Sequence, residues 1–174
     1  MDWPAVLPFI HHYTVVGPQS ACSFGSSYAN VPASGTWSSA NRALYYPFRV
    51  GVPITAKLLW CANGTVAGNN IDIGIFTQDG VKLVSSGSTA QSGTSTIQTF
   101  DITDTQLPPG LYYMGMAMDG TTGTVFAKSG ALAFPRTLGV YQQATAFPLP
   151  DPISFATATS TSIPGFGFAT RTFV

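Results

Sequence analysis

The chain has 174 residues, 45% hydrophobic and 8% charged, with seven Lys or Arg balancing seven acidic side chains. That length and apolar content allow one domain with a full core and no need for staples, while the charge lies far below the roughly 25% of an average soluble domain. A neutral, sparsely charged surface lacks the basic stripe a nucleic-acid partner requires and puts little repulsion between copies of the chain.

All seven acids are Asp, and Ser, Thr, Gly and Asn stand where exposed helices would carry Glu and Lys, so the composition points to strands. Residues 1–40 open with Met1-Asp2-Trp3-Pro4, an acid and a proline where a signal peptide would be positive, and no apolar run approaches bilayer length. Neither export by that route nor a membrane span is expected. Pro4 and Pro8 interrupt any helix and predict an extended N-terminal arm. Its apolar residues Trp3, Leu7, Phe9 and Ile10 need cover, either from the chain's own sandwich or from a neighbouring subunit. His11 and His12, adjacent on an extended chain, point to opposite sides and do not converge on one metal or one catalytic centre.

Residues 41–128 carry a regular strand grammar. Strands are predicted at 43–49 and at 54–61, with Ala56, Leu58 and Trp60 on one face, Lys57, Leu59 and Cys61 on the other, and Trp60 in the core. Asn63-Gly64 turns the chain. A strand at 70–77, with Ile71, Ile73 and Ile75 alternating with Asp72 and Gly74, leads through Asp79-Gly80 into 81–85 as a hairpin, since Asp-Gly suits positive φ. After a polar loop at 86–95, a strand at 96–102 sets Ile97 opposite in sense to Phe100 and Ile102. Pro108-Pro109-Gly110 makes a corner before 111–118, where Tyr112, Met114, Met116 and Met118 share a face and Tyr113 turns away. Asp119-Gly120 closes that strand, and residues 124–128 pair back.

Residues 129–174 are rich in Pro, Phe and Thr, and prolines confine the segments 138–141, 153–159 and 166–174 to edges or short strands. The last of these alternates apolar residues and must pair with something, which places Phe166, Phe168 and Phe173 at an interface or in the completion of the sandwich. The resulting fold class is all-β, an antiparallel β-sandwich of jelly-roll type with an N-terminal arm.

Side chains able to do chemistry are few. Cys22 and Cys61 are too far apart for a metal knuckle and read as reduced, buried thiols. Asp101 and Asp104 form the one carboxylate pair to weigh for glycoside hydrolysis, but their strand-end context suits backbone hydrogen bonding and no Glu exists to act as a second acid. Asp72, Asp79 and Asp119 show no calcium-loop spacing, and Asn63-Gly64-Thr65 reads as a turn rather than a glycosylation acceptor. No cofactor, metal or catalytic role is expected. Trp37, Tyr45, Tyr46, Trp60, Tyr112, Tyr113 and Tyr141 supply aromatic surface either for packing or for stacking on sugar faces, with Tyr45, Tyr113 and Tyr141 the candidate glycan contacts.

The runs Ala43-Leu44-Tyr45-Tyr46-Pro47-Phe48-Arg49, Leu59-Trp60-Cys61-Ala62-Asn63-Gly64, Asn70-Ile71-Asp72-Ile73-Gly74-Ile75-Phe76 and Leu107-Pro108-Pro109-Gly110-Leu111-Tyr112-Tyr113 resemble the β-sandwich modules of tailed-bacteriophage virion proteins. The resemblance covers residues 41–126 and brings no catalytic residues. It implies a structural virion protein, most simply a capsid decoration (cement) protein on the exterior of the shell. Its partners would be the major capsid protein or another virion protein, and it would act as a homotrimer. The alternative it implies is a tail- or fibre-associated module that recognises a host glycan through the 86–95 loop and outward tyrosines.

Overall fold

A computed structural model describes residues 20–22, 33–129, 135–136 and 138–170, with residues 20–22 and 129 described by their backbone alone. The predicted arm residues Trp3, Leu7, Phe9 and Ile10, both histidines and Phe173 lie outside the described residues. Strands take up 56% of the described residues, which settles the all-β class. In chain order they are β1 (Ser20–Cys22), β2 (Ala33–Thr36), β3 (Arg42–Val50), β4 (Ile54–Ala62), β5 (Asn70–Thr77), β6 (Lys82–Ser85) and β7 (Thr89–Ala90). There follow β8 (Ile97–Leu107), β9 (Gly110–Met118), β10 (Thr124–Ser129), β11 (Tyr141–Gln143), β12 (Ala156–Thr157), β13 (Ser162–Pro164) and β14 (Phe166–Ala169).

The pairing is nested: β2 with β10, β3 with β9, β4 with β8, β5 with β6, all antiparallel. A long hairpin rolled across two sheets gives that pattern, so the sandwich is of jelly-roll type. One sheet runs β12-β11-β3-β9-β5-β6, with β7 also on β5; the others run β1-β14-β4-β8 and β13-β10-β2. The last two act as one layer. Gly165, between β13 and β14, accepts from the Ala62 amide and donates to the Phe126 carbonyl, each at 2.8 Å, so β4 and β10 lie end to end along the same strand.

Local chemistry explains the corners. Gly80 takes φ +83° in the turn where its amide reaches the Thr77 carbonyl at 3.0 Å, as Asp79-Gly80 predicts. Pro108-Pro109 ends β8 and carries the chain to β9 in the other sheet. Inside, Leu44, Tyr46 and Phe48 of β3, Ile71, Ile73 and Ile75 of β5, and Met114, Met116 and Met118 of β9 share one buried cluster with Leu59 and Cys61 of β4. Tyr112 faces inward too, stacked on Phe48 with ring centroids 5.6 Å apart, while Tyr113 packs outside this cluster, as their alternation predicts.

Three expectations are corrected. Phe166 and Phe168, offered as interface residues or as part of the sandwich, are not interface residues but complete the sandwich, fully buried in the chain's own core against Tyr46 and Phe48, because β14 pairs with β4 on one side and β1 on the other. The face assignment of β4 fails midway: the β4–β8 register shifts between Ala56 and Leu58, so the core-facing residues run Ile54, Ala56, then Leu59, Cys61. Trp60 is thereby turned out of the core cluster; it is half-buried, and its indole Nε1–H is buried with no hydrogen-bond partner among the described residues. The segments 138–141 and 153–159 form only β11 and β12, and residues 144–155 run without strand pairing as a strap.

The strap covers the other face of the large sheet, where Ala43, Tyr45, Phe76 and Ala117 pack with Ala146, Leu149 and Ile153. Gly115 makes this possible. A Cβ there would stand 2.8 Å from Tyr45 Cε1 and 2.9 Å from Phe76 Cε2, two rings with no exposed surface into which to retreat. Gly115→Ala is expected to lower stability by about 1–3 kcal/mol, seen as a fall in the denaturation midpoint. Gly51→Ala, where nothing lies within 4 Å of the new atom, should shift stability by no more than about 0.5 kcal/mol.

Candidate functional site

Two surfaces concentrate side chains that the core does not consume. The first is the outer face of the large sheet, where the strap is fastened by one buried acid. Asp72 is 1% exposed; its carboxylate accepts from the Leu149 amide at 2.9 Å and from the Ser86 hydroxyl at 3.4 Å. Lys82 holds the same strap residue from the other side, its Nζ donating to the Leu149 carbonyl at 2.9 Å, while its amide donates to Asp151. The Ile153 amide donates to the Gly80 carbonyl. Burial raises the Asp72 pKa, opposed by the hydrogen bonds from Leu149, Ser85 and Ser86 and by the Lys82 charge.

At the strap's edge lies a lip of aromatic side chains. Tyr113, Tyr141 and Phe155 meet with ring centroids 4.8 to 6.0 Å apart and planes tilted by 50 to 71°. Tyr141 is 36% exposed and Phe155 38%, and Leu111, two residues before Tyr113 on β9, is 49% exposed. Of the three predicted glycan tyrosines, the structure brings Tyr113 and Tyr141 together. Tyr45 is a correction: the strap buries it completely, and its hydroxyl donates to Gln143 Oε1. Phe155 takes its place at the lip, a residue without periodic context in the sequence. Tyr113 and Tyr141 meet edge to face and Phe155 is tilted against both, so the three rings share no common plane for a sugar to lie on.

The second surface is a cluster of loops at the end of the sandwich where β9 finishes and β5 begins. Asn63 is fully buried, so the residue expected at a turn serves as a tie. Its amide donates to the carbonyls of Ser92 and Gly93 and to Gln98 Oε1, and its oxygen accepts from Gln91 Nε2. Gln91 also donates to the Thr124 carbonyl at 2.7 Å and accepts from the Gly68 amide. Asp119 accepts from Asn69 Nδ2, from the Asn70 amide and from Asn70 Nδ2 at 2.7 Å. Asn69 in turn accepts from the Gly123 amide. Glycine permits the close seating, because a Cβ on Gly120 would stand 2.1 Å from Asn69 Nδ2 and one on Gly123 2.2 Å from Gln91 Oε1. Between these loops opens a cleft of about 280 Å³ lined by Ala67, Gly68, Asn69, Asn70, Ala90, Gln91 and Asp119.

The remaining candidates separate. Asp104 pairs with Lys57 at 2.9 Å on the exposed face of edge strand β8, and Asp101 is exposed on the same strand. Asp72 lies under the strap, Asp79 in the hairpin turn and Asp119 at the cleft; among the described residues no three His, Cys, Asp or Glu side chains gather where a metal would sit. Cys61 is a buried free thiol whose pKa burial pushes up to about 12, so almost none of it is thiolate at neutral pH. No protein-family model matches the chain, and no curated protein matches it in sequence.

Asp72 generates a signed pH dependence. Its folded pKa lies above the unfolded value, so folding holds the proton more tightly than the unfolded chain does. The stability it contributes is fully present below the unfolded value of about 4 and is lost as pH rises through the folded pKa. Asp72→Asn keeps an oxygen for the Leu149 amide and removes the titration. Denaturant midpoints measured against pH should therefore fall less steeply in this variant than in the parent; parallel profiles would show that Asp72 titrates normally in the folded chain.

Proposed function

We propose that the chain is a non-enzymatic structural protein of a bacteriophage virion, a decoration protein that docks on the outside of the capsid shell and clamps neighbouring copies of the major capsid protein. Two things support the reading: the resemblance of residues 41–126 to virion β-sandwich modules, and a surface built for association. The observation that carries it is the lip of Leu111, Tyr113, Tyr141 and Phe155, apolar surface left open on a chain with only 8% charged residues. Aromatic anchors in a charge-poor setting are the composition of an interface centre.

The mechanism is additive burial. If each copy covers about 1,500 Å² of shell, the area of an ordinary stable interface, the gain exceeds the cost of immobilising a rigid domain and opposes expansion of the shell. A trimer matches the local symmetry at which capsid subunits meet and multiplies the contact without new chemistry.

Purified protein should bind empty capsids saturably and raise the temperature at which they rupture. Replacing Tyr113 and Phe155 together by Ser should weaken attachment about tenfold or more while the isolated domain stays folded. Failure of the parent protein to bind shells or to change their rupture temperature would falsify the reading.

A further inference from the structure

We propose that the loop cleft lined by residues 67–70, 90–91 and 119 is a binding subsite for a neutral saccharide, a role separate from docking on the shell. Its volume of about 280 Å³ equals roughly nine water molecules at about 30 Å³ each, the scale of one sugar ring. Its walls offer what hydroxyl groups need. Asp119 Oδ2 accepts one hydrogen bond, from Asn70, and retains acceptor capacity for a ligand hydroxyl; the Asn69 and Asn70 side-chain amides, each donating one bond to Asp119, stand beside it.

Rigidity is the second observation. Asn63 and Gln91, both buried, fix the loops from below, and Gly120 and Gly123 let the chain seat against Asn69 and Gln91, so little ordering remains to be done when a ligand enters. The charge pattern selects among ligands. One carboxylate and no Lys or Arg line the cleft, which favours neutral sugars and disfavours uronates, sialates and phosphates. Position makes the site independent: Asp119 lies six residues beyond Tyr113 along β9, about 20 Å at the rise of a strand, so the cleft stays open when the lip is covered.

The test is titration of the full chain, by calorimetry and ligand-detected NMR, with oligomers of glucose, galactose, mannose and N-acetylglucosamine, and with polygalacturonate as the anionic comparison. Saturable binding of at least one neutral oligomer is expected, with weaker binding of the polyuronate. Ala90→Trp fills the cleft without touching the hydrogen bonds beneath it, and Asp119→Asn keeps the volume while removing the charge. Each should weaken binding by about tenfold or more, Ala90→Trp at an unchanged thermal midpoint and Asp119→Asn at a lowered one because its new NH2 group faces a donor of Asn69 or Asn70, whereas Tyr141→Ser should leave binding intact. The proposal is overturned if no neutral oligomer binds, if binding survives both cleft variants, or if Tyr141→Ser alone abolishes it. Shell attachment by Ala90→Trp at the parent's affinity separates this outcome from the fate of the docking reading.

Discussion

Strands β3, β5 and β9 are covered on both faces, and most of the molecule follows from that constraint. On the second face Ala43, Gly74, Gly115 and Ala117 are small enough to leave room for the Tyr45 and Phe76 rings and for the strap, and Asp72 is buried among them. Leu149 and Ile153 each gain about 1.5–3 kcal/mol by leaving water, whereas a hydrogen bond nets about 1 kcal/mol. Burial therefore attaches the strap. Asp72 sets its register, because an acid in that position is tolerable only with the Leu149 amide and the Ser86 hydroxyl placed on it.

The cleft end of the sandwich is organised by the opposite chemistry. Its loops bring few apolar side chains, and buried amides replace them: Asn63 and Gln91 together satisfy carbonyls from segments distant in sequence. Such a network is rigid only when complete, since each unpaired buried group would cost about 1–3 kcal/mol. The same amides explain how a chain so poor in charge orders its polar ends. Asn, Gln, Ser and Thr supply donors and acceptors without the repulsion that would keep copies apart.

Strand identity was legible wherever one rule governed a stretch of residues. The isoleucines of β5, the methionines of β9, Asp79-Gly80 and Pro108-Pro109-Gly110 each stated their role locally. Three kinds of information were not local. The register shift in β4 reverses the inward face after Ala56, which no period within residues 54–62 reveals, and so Trp60 was placed in the core. The strap has no period at all, so neither the burial of Tyr45 nor the arrival of Phe155 beside Tyr113 was readable. Asn63 and Asp119 look like turn residues because the groups that cap a turn are those that tie distant loops. The Gly68-Asn69-Asn70 run was the one signal that a polar cluster sits there. For Phe166 and Phe168 the need for a partner is legible and the choice between the chain's own sandwich and a neighbour is not: β4 and β1 of the same chain supply it.

The edges of the sheets bear on where association is directed. An exposed strand edge invites pairing with another chain, and here the edges are guarded by different means. Strands β1, β2, β6 and β12 are short, and β6 carries Lys82. The long edge strand β8 is interrupted by its register shift and bears Asp101 and Asp104, the latter fixed to Lys57. Charges are scarce in this sequence, and two of its seven aspartates stand on this edge strand. Strand addition is resisted there, while among the described residues Tyr141 and Phe155 of the lip are exposed. A surface that guards its edges and exposes an aromatic lip favours partners that bury side chains over partners that extend a sheet.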